Sequence, residues 1–515
     1  MSLASLALLC AAPVAIGQTS ASAPEFRIRT APGTVYQTID GFGASDAWRC
    51  RFVGKNWPIE KRERIADLLF SRDLDAAGNP KGIGLSIWRF NIGAGSAEQG
   101  SDSGIGIWRS AECFLNEDGT YDWSKQAGEQ WFLRAARRRG VERLLAFTNS
   151  PPVSLTRSRK AFALKGAFNV NLKPGGMSRF AAFLTDVTEH FEKEGIHFDY
   201  LSPINEPQWG WDGGQEGSPA LNTEIADVVR YLSSDLSLRK LTTEVTVAEA
   251  GTIDYVFGKG SEGRDDQAQF FFNRASPFYI GGLPNVATVI SAHDYWSVWP
   301  PDKQAERRQR LHKAIAAANP KLRYWQSEYC ILGDEPETGG GGHRDLGMKT
   351  ALFVARIVHN DLTVAQASSW QWWTALTDAD YKDGLIYLDD GSKGDSGRMG
   401  TDSLMRDGMA RDSKLLWTLG NWSRFVRPGM ARVKCEVTPA TSVVDGLLAS
   451  AYKGRGGELV VVIVNLSKAD ARCDLGEKGT VDVYTTSAAC NLAHSRQSAG
   501  RIPVPARAVC TCVLK

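Results

Sequence analysis

The sequence predicts an α/β chain, a closed (β/α)8 barrel with an attached C-terminal β-sandwich. Three observations predict it. Short apolar runs alternate with helical patterns eight times between about residues 38 and 425. Beyond Pro428 the helices stop, and short strands follow one another with turn residues between them. One apolar run, Asp199 to Asn205, ends on Asn205-Glu206-Pro207. Proline cannot donate to a sheet ladder, so the strand stops there and leaves a carboxyl at its mouth. A doubly wound open sheet is the alternative, but eight regularly spaced units fit closure better.

Taken in order, residues 1–17 carry no charged side chain and hold an apolar run from Leu3 to Ile16. That run is too short to span a bilayer and ends on the small-residue stretch Ala15-Ile-Gly17, so a secretory signal peptide is expected, ending at residue 17 and at 23 at the latest. The mature chain is then expected outside the cytoplasm, secreted or periplasmic. Phe26-Arg-Ile-Arg-Thr30 and Val35-Tyr-Gln-Thr-Ile39 alternate like half-exposed strands, and residues 26–38 are expected to join the β-sandwich. The barrel is assigned to 39–425. Its strands are read at Ile39, 84–92, 143–150, 199–205, 244–249, 288–295, 322–328 and 366–372. Helical patterns are read at 58–70, 126–139, 176–193, 222–237, 305–318 and 346–359. The sandwich takes 426–515, with strands at 446–452, 458–465, 480–484 and 506–514. The Gly339–Gly342 run reads as a flexible barrel loop.

With 60 basic and 58 acidic residues the chain is nearly neutral, which gives no reason to expect nucleic acid or a membrane as partner. Sixteen tryptophans and 51 glycines suit aromatic platforms on shaped loops. Eight cysteines follow the leader, five of them beyond residue 430, and in an exported chain disulfides are expected among those five. Seven scattered histidines form no His-x-His or His-Glu-x-x-His, so neither a metal centre nor a cofactor is expected.

In such barrels the working residues sit at the C-terminal ends of strands. Those ends carry Asp46 and Trp48; Arg89 and Asn91; Asn149; Asn205 and Glu206; Glu249; His293, Asp294 and Tyr295; Glu328; and Trp370 and Trp372. Two strands end alike, on Ile204-Asn-Glu206 and Gln326-Ser-Glu328, and lie on opposite sides of the opening. Two carboxyls facing each other across a sugar are what glycoside hydrolysis needs. Each assignment has a plainer competitor. Arg89 could be a barrel-filling ion pair, Tyr295 core, and His293 and Asp294 parts of a strand end. Glu249 lacks the Asn or Pro context and reads as an acceptor behind the site. Asp46 and Glu216 could bind sugar hydroxyls or cap loops. Trp48, Trp209, Trp211, Trp296, Trp370 and Trp372 are candidate sugar platforms, with Trp370 favoured as the floor beneath the cleaved sugar; half of such a set is core.

Gly41-Phe-Gly-Ala-Ser45, Trp88-Arg-Phe-Asn91, Ser150-Pro-Pro152, Pro203-Ile-Asn-Glu-Pro207, His293-Asp-Tyr295 and Trp325-Gln-Ser-Glu328 together resemble glycoside hydrolase family 30, a retaining β-glycosidase family of clan A. Ala44-Ser-Asp-Ala-Trp48, Pro207-Gln-Trp-Gly-Trp211 and Gln215-Glu-Gly217 are most similar to its endo-β-1,6-galactanase-like branch. The resemblance implies Glu206 as acid/base, Glu328 as nucleophile and Asn205 on the sugar 2-OH. It also implies carboxyls about 5–5.5 Å apart, with Arg89 and Tyr295 holding Glu328 ionised. The expected partner is a polysaccharide or oligosaccharide, most of all β-1,6-galactan. β-1,6-Glucan, glucuronoxylan, β-xylosides and β-glucosides are the alternatives within the family. Glucuronoxylan would need a basic pocket, for which Arg157, Arg159 and Lys160 are the candidates. A non-catalytic carbohydrate-binding protein is the second hypothesis, and a metallohydrolase the third.

Overall fold

Alternation at the N-terminal end belongs to one strand, β1 (Glu25–Thr38), which bulges between Ala31 and Val35 where its register shifts. The computed structural model describes residues 23–259, 262–333, 335–394 and 397–514, so the expected signal peptide lies outside the described residues. After β1 the chain builds the barrel from β2 (Gly41–Ser45), β3 (Ile87–Asn91), β4 (Arg143–Phe147), β5 (Tyr200–Ser202), β6 (Glu244–Ala250), β7 (Val286–His293), β8 (Arg323–Glu328) and β9 (Ala367–Trp372). All eight run parallel, and β9 pairs back onto β2 to close the cylinder.

The helices follow the strands: α1 (Cys50–Asn56) and α2 (Ile59–Phe70), α3 (Ala127–Arg138), α4 (Gly176–Lys193), α5 (Asn222–Leu238), then α6 (Asp254–Phe257) and α7 (Gln267–Phe272). They continue with α8 (Pro301–Ala318), α9 (Met348–Asn360) and α10 (Lys414–Ser423). The short α1, α6 and α7 span too few turns for a periodic signal to register. Between β9 and α10 an unforeseen small sheet forms from β10 (Thr374–Thr377), β11 (Gly384–Asp389) and β12 (Met409–Asp412). The Gly339–Gly342 run is not loose. A Cβ on Gly341 would meet the Tyr381 ring at 2.2 Å, and Lys382 Nζ donates to the Gly340 carbonyl at 2.8 Å.

The second region is a nine-stranded sheet. Its strands are β13 (Ala431–Thr438), β14 (Leu447–Lys453), β15 (Leu459–Asn465), β16 (Ala471–Asp474), β17 (Thr480–Thr486), β18 (Ala493–Ser498), β19 (Ile502–Val504) and β20 (Ala508–Leu514), together with β1. The order is β18-β17-β20-β15-β14-β13-β1-β16-β19, antiparallel except where β1 meets β16. Side chains from both halves of the order meet in one core, among them Ile28, Val461, Ile463, Val481 and Ile502. Val460, Val462 and Val464 of β15 point the other way, into the core shared with the barrel. Burial on both faces is why that strand reads as an unbroken apolar run. Helix α9 lies between the two regions and is buried nearly all round.

The cysteines correct one expectation. All eight are free thiols. Cys510 and Cys512 stand two apart on one strand and face the same core as Cys473, where they pack as small apolar side chains.

Candidate active site

Period-two alternation decides which side chains reach the barrel's interior. Ile87, Leu145, Tyr200, Ala287, Val289 and Trp325 point inward and form an apolar plug across its lower end. Two residues further along β3 the same face presents Arg89, and further along β7 it presents His293. Both are completely buried.

A buried guanidinium requires acceptors, and Arg89 has three. Its Nη1 donates to Glu328 Oε2, and its Nη2 to Asn205 Oδ1 at 3.0 Å and to Glu249 Oε2 at 3.1 Å. Tyr295 donates its hydroxyl to Glu328 Oε1 at 3.0 Å. Glu328 thus has a fixed donor on each oxygen.

Glu206 sits in a different environment. It follows β5 with φ +43°, a left-handed backbone uncommon outside glycine, and Glu249 does the same at φ +49°. Their backbones lock together through Glu206 N–H donating to the Glu249 carbonyl at 2.9 Å. His293 bridges the two side chains, with Nδ1 2.8 Å from Glu206 Oε1 and Nε2 3.0 Å from Glu249 Oε2. Burial would discharge this imidazole. The carboxylates of Glu328, Glu206 and Glu249 outweigh it and raise its pKa to about 10, so both ring nitrogens carry protons. Burial also opposes the charge on Glu249, but Arg89, His293 and the Ser327 hydroxyl together hold its pKa down to about 2. Glu206 moves the other way. Burial raises its pKa, and the Glu328 charge adds to the rise against the pull of His293 and Arg89. One oxygen of Glu206 lies within 4.8 Å of one oxygen of Glu328.

A row of amides continues from Arg89. Because Arg89 only donates, Asn205 must turn Oδ1 toward it and Nδ2 toward Asn149 Oδ1, at 3.1 Å. Asn149 Nδ2 in turn donates to Asn91 Oδ1 at 3.0 Å, and the Asn91 N–H donates to Asp46 Oδ1 at 2.8 Å. Asp46 therefore anchors the mouth, with its Oδ2 unpartnered among the described residues. Glu216 is a loop clamp. It accepts from Ala94 N–H, Ser96 N–H and Ser96 Oγ. Glu206, His293 and Glu328 also bring donor atoms close enough to hold a metal ion, but both His293 nitrogens already donate to carboxylates.

The family model for O-glycosyl hydrolase family 30 matches residues 25–387. The chain belongs to O-glycosyl hydrolase family 30. It is 24% identical to an endo-β-1,6-galactanase of Hypocrea rufa over 457 residues, covering 85% of this chain and 81% of that protein. It is similar along 95% of its length to all of a conserved exported protein from Bacteroides fragilis, at 38% identity and a TM-score of 0.88. The catalytic domain of a family 30 xylanase from Talaromyces cellulolyticus has the same fold, with a TM-score of 0.67 at 20% identity over 95% of this chain and 100% of that one. As a family 30 member the protein is an O-glycosyl hydrolase.

The aromatic side chains of this family 30 barrel divide into two groups. Trp370, expected beneath the sugar, does not face the opening. It points outward from β9, fully buried, stacks near Trp372, and its Nε1 donates to Asp361 Oδ2 at 2.8 Å. Asp361 also receives Arg308 Nε, while Arg308 Nη2 pairs with Asp294. Asp294 therefore belongs to the layer between barrel and helices. Alternation gives the reason: Ser369 and Gln371 take the inward positions of β9. Trp372 shares the outward face, and Trp48 is buried edge-on against Trp373. On the other side, Trp211 Nε1 donates to the Glu206 carbonyl at 2.9 Å, its ring lying over Gly217. Trp209 packs edge-on against Trp296, 5.2 Å away between ring centres, and Trp296 is 56% exposed next to Tyr295. Trp211 therefore reaches Glu206 directly, while Trp209 and Trp296 form an indole pair next to Tyr295.

Proposed function

We propose that this family 30 hydrolase is a retaining β-glycosidase that cleaves β-1,6-galactan, with Glu206 as acid/base and Glu328 as nucleophile. The observation that carries the mechanism is the pair of buried carboxyls at the mouth, close together but differently partnered. An oxygen of one lies within 4.8 Å of an oxygen of the other, in keeping with the roughly 5–5.5 Å of double-displacement enzymes and too close for the roughly 6.5–9.5 Å that leaves room for a water. Arg89 and Tyr295 present Glu328 as an anion. Its oxygen bonds to the anomeric carbon as the glycosidic C–O bond breaks, and the leaving oxygen takes the proton of Glu206. Water then adds to the anomeric carbon, Glu206 recovers a proton, and the bond to Glu328 breaks. Burial supplies Glu206 with the raised pKa that a proton donor needs. Asn205 keeps one N–H for the 2-hydroxyl, since Arg89 and Asn149 occupy the rest of its amide.

The galactan reading is supported by the Hypocrea rufa relative and by an exo-β-1,6-galactobiohydrolase of Bifidobacterium longum, 23% identical over 39% of this chain and 16% of that protein. Uronic acid recognition by the loop after β4 has little support. Arg159 is paired with Glu117, Lys160 donates to the Asp102 carbonyl, and Arg157 Nη2 lies 3.4 Å from the Leu172 carbonyl. The apolar, charge-free first 17 residues support an exported enzyme.

The test is a product profile on de-arabinosylated β-1,6-galactan, β-1,6-glucan and glucuronoxylan, with Glu328→Gln alongside the parent. Galacto-oligosaccharides from the first polymer, lost on the order of a thousandfold or more in the variant, are expected. Products from another polymer alone would remove the substrate. Equal activity in the variant would remove the nucleophile.

A further inference from the structure

A cavity of about 830 Å³ lies on the barrel's flank, away from the two carboxyls. It opens where the start of α8 and the side of α9 meet the β13–β14 and β15–β16 turns of the nine-stranded sheet, and its size falls within the usual range for ligand clefts. Lys349, Leu352, Phe353 and Arg356 line it at helical spacing along α9. Arg356 is buried at its wall. Its Nη1 donates to Glu337 at 3.0 Å and to the Val444 carbonyl at 3.2 Å, and its Nε has no partner among the described residues. The rim carries Asp302, Asp445, Lys468 and Arg507, two charges of each sign. None of these four side chains makes a hydrogen bond or ion pair among the described residues. Lys349 is turned onto the Thr338 carbonyl. At the lip stands Trp299, 36% exposed, on the same β7–α8 loop that carries Tyr295 and Trp296.

With Arg356 paired to Glu337, the remaining charges are Asp302 and Asp445 against Lys349, Lys468 and Arg507, so neither sign dominates the groove and a strongly charged ligand is not favoured. Free donors and acceptors beside an indole face suit a polyol with apolar C–H faces. We infer that this groove is a second binding site for an uncharged stretch of polysaccharide, which holds the polymer while the mouth cuts it. The inference rests on the polysaccharide reading above. The site joins the barrel to the nine-stranded sheet, so each region contributes side chains that neither could offer alone.

The test compares Trp299→Ala and Val444→Trp with the parent on the polymer and on an aryl β-glycoside. Val444 is exposed, so its replacement fills the groove without entering the core. Thermal melts establish that both variants fold. The polymer is whichever of the three above the parent hydrolyses. A wrong choice of polymer therefore shows in the parent, and a wrong choice of groove shows only in the variants. KM on the polymer is expected to rise about threefold to tenfold in both variants, with kcat on either substrate and KM on the aryl glycoside unchanged. Parental KM on the polymer in both folded variants overturns the inference, as does an equal rise on the aryl glycoside.

Discussion

The two ends of the barrel's interior are built on the same strands by the same alternation, and they differ in what they cost. At the lower end Ile87, Leu145, Val289 and Trp325 fill the cylinder with apolar surface. A few residues further along, the inward positions are Arg89 and His293, and Glu328 joins them through the register shift where the end of β8 meets β7, all buried. Desolvating such charges is expensive unless each is paired, and here every one is. The lower end stabilises the protein. The upper end spends part of that stability to hold charges in arranged positions, including two glutamates in left-handed backbone at a cost of about 1–3 kcal/mol each.

The division can be broken at either end. Glu206→Gln should lower turnover of polymer by about 10²–10⁴-fold, yet leave aryl glycosides with good leaving groups much less affected. Parallel losses on both substrates would argue against Glu206 as the proton donor. Leu145→Ala, at the lower end, should cost about 2–5 kcal/mol in denaturant unfolding while the folded fraction keeps its kcat. Trp370→Phe removes an indole N–H from Asp361 and should destabilise by about 1–3 kcal/mol with KM unchanged. A raised KM would restore Trp370 to the sugar site.

The smallest effect sharpens the comparison most. The His293 imidazolium favours the ionised form of Glu206, so His293→Gln should raise the Glu206 pKa further. The alkaline limb of the pH–rate profile then moves upward. His293 itself is charged more readily in the folded chain than at its ordinary value of 6.5. The stability it contributes is fully present below that pH and is lost as pH rises through about 10. Melting curves of parent and variant should therefore converge above pH 10. An unmoved limb would show that His293 only fills space.

Much of this was legible in the residues. Eight apolar runs with helices between most of them located the barrel strands, but the first was read at Ile39 and stands at Gly41–Ser45, and the fourth ends at Ser202, before Pro203, and not at Pro207. The Ala431–Thr438 strand carried the same alternation at Val433, Cys435 and Val437 and could have been read. Trp370 could not be assigned from its position alone, because a one-residue change of phase decides whether a side chain faces the opening or the helices. Glu249 was read as an acceptor behind the site, and it accepts from Arg89, His293 and Ser327; its effect on His293 was hidden. Nothing local marks it as the anion that keeps His293 charged; that depends on side chains from β3, β7 and β8 converging on it. Disulfides were expected from cysteine number, but pairing depends on geometry that number does not carry.

Strand β1 lies inside the nine-stranded sheet, flanked by β13 and β16, and its Thr38 pairs with Ala431. During synthesis it leaves the ribosome roughly four hundred residues before that partner, a wait of about 20–80 s. An unpaired strand that long is ordinarily an invitation to aggregate. Most of β1 stays at least partly exposed even in the finished fold, and its sequence carries Arg27, Arg29 and Pro32, with Ile28 its single fully buried side chain. A newborn segment so composed can remain hydrated through the delay and still be claimed by the sheet at the end.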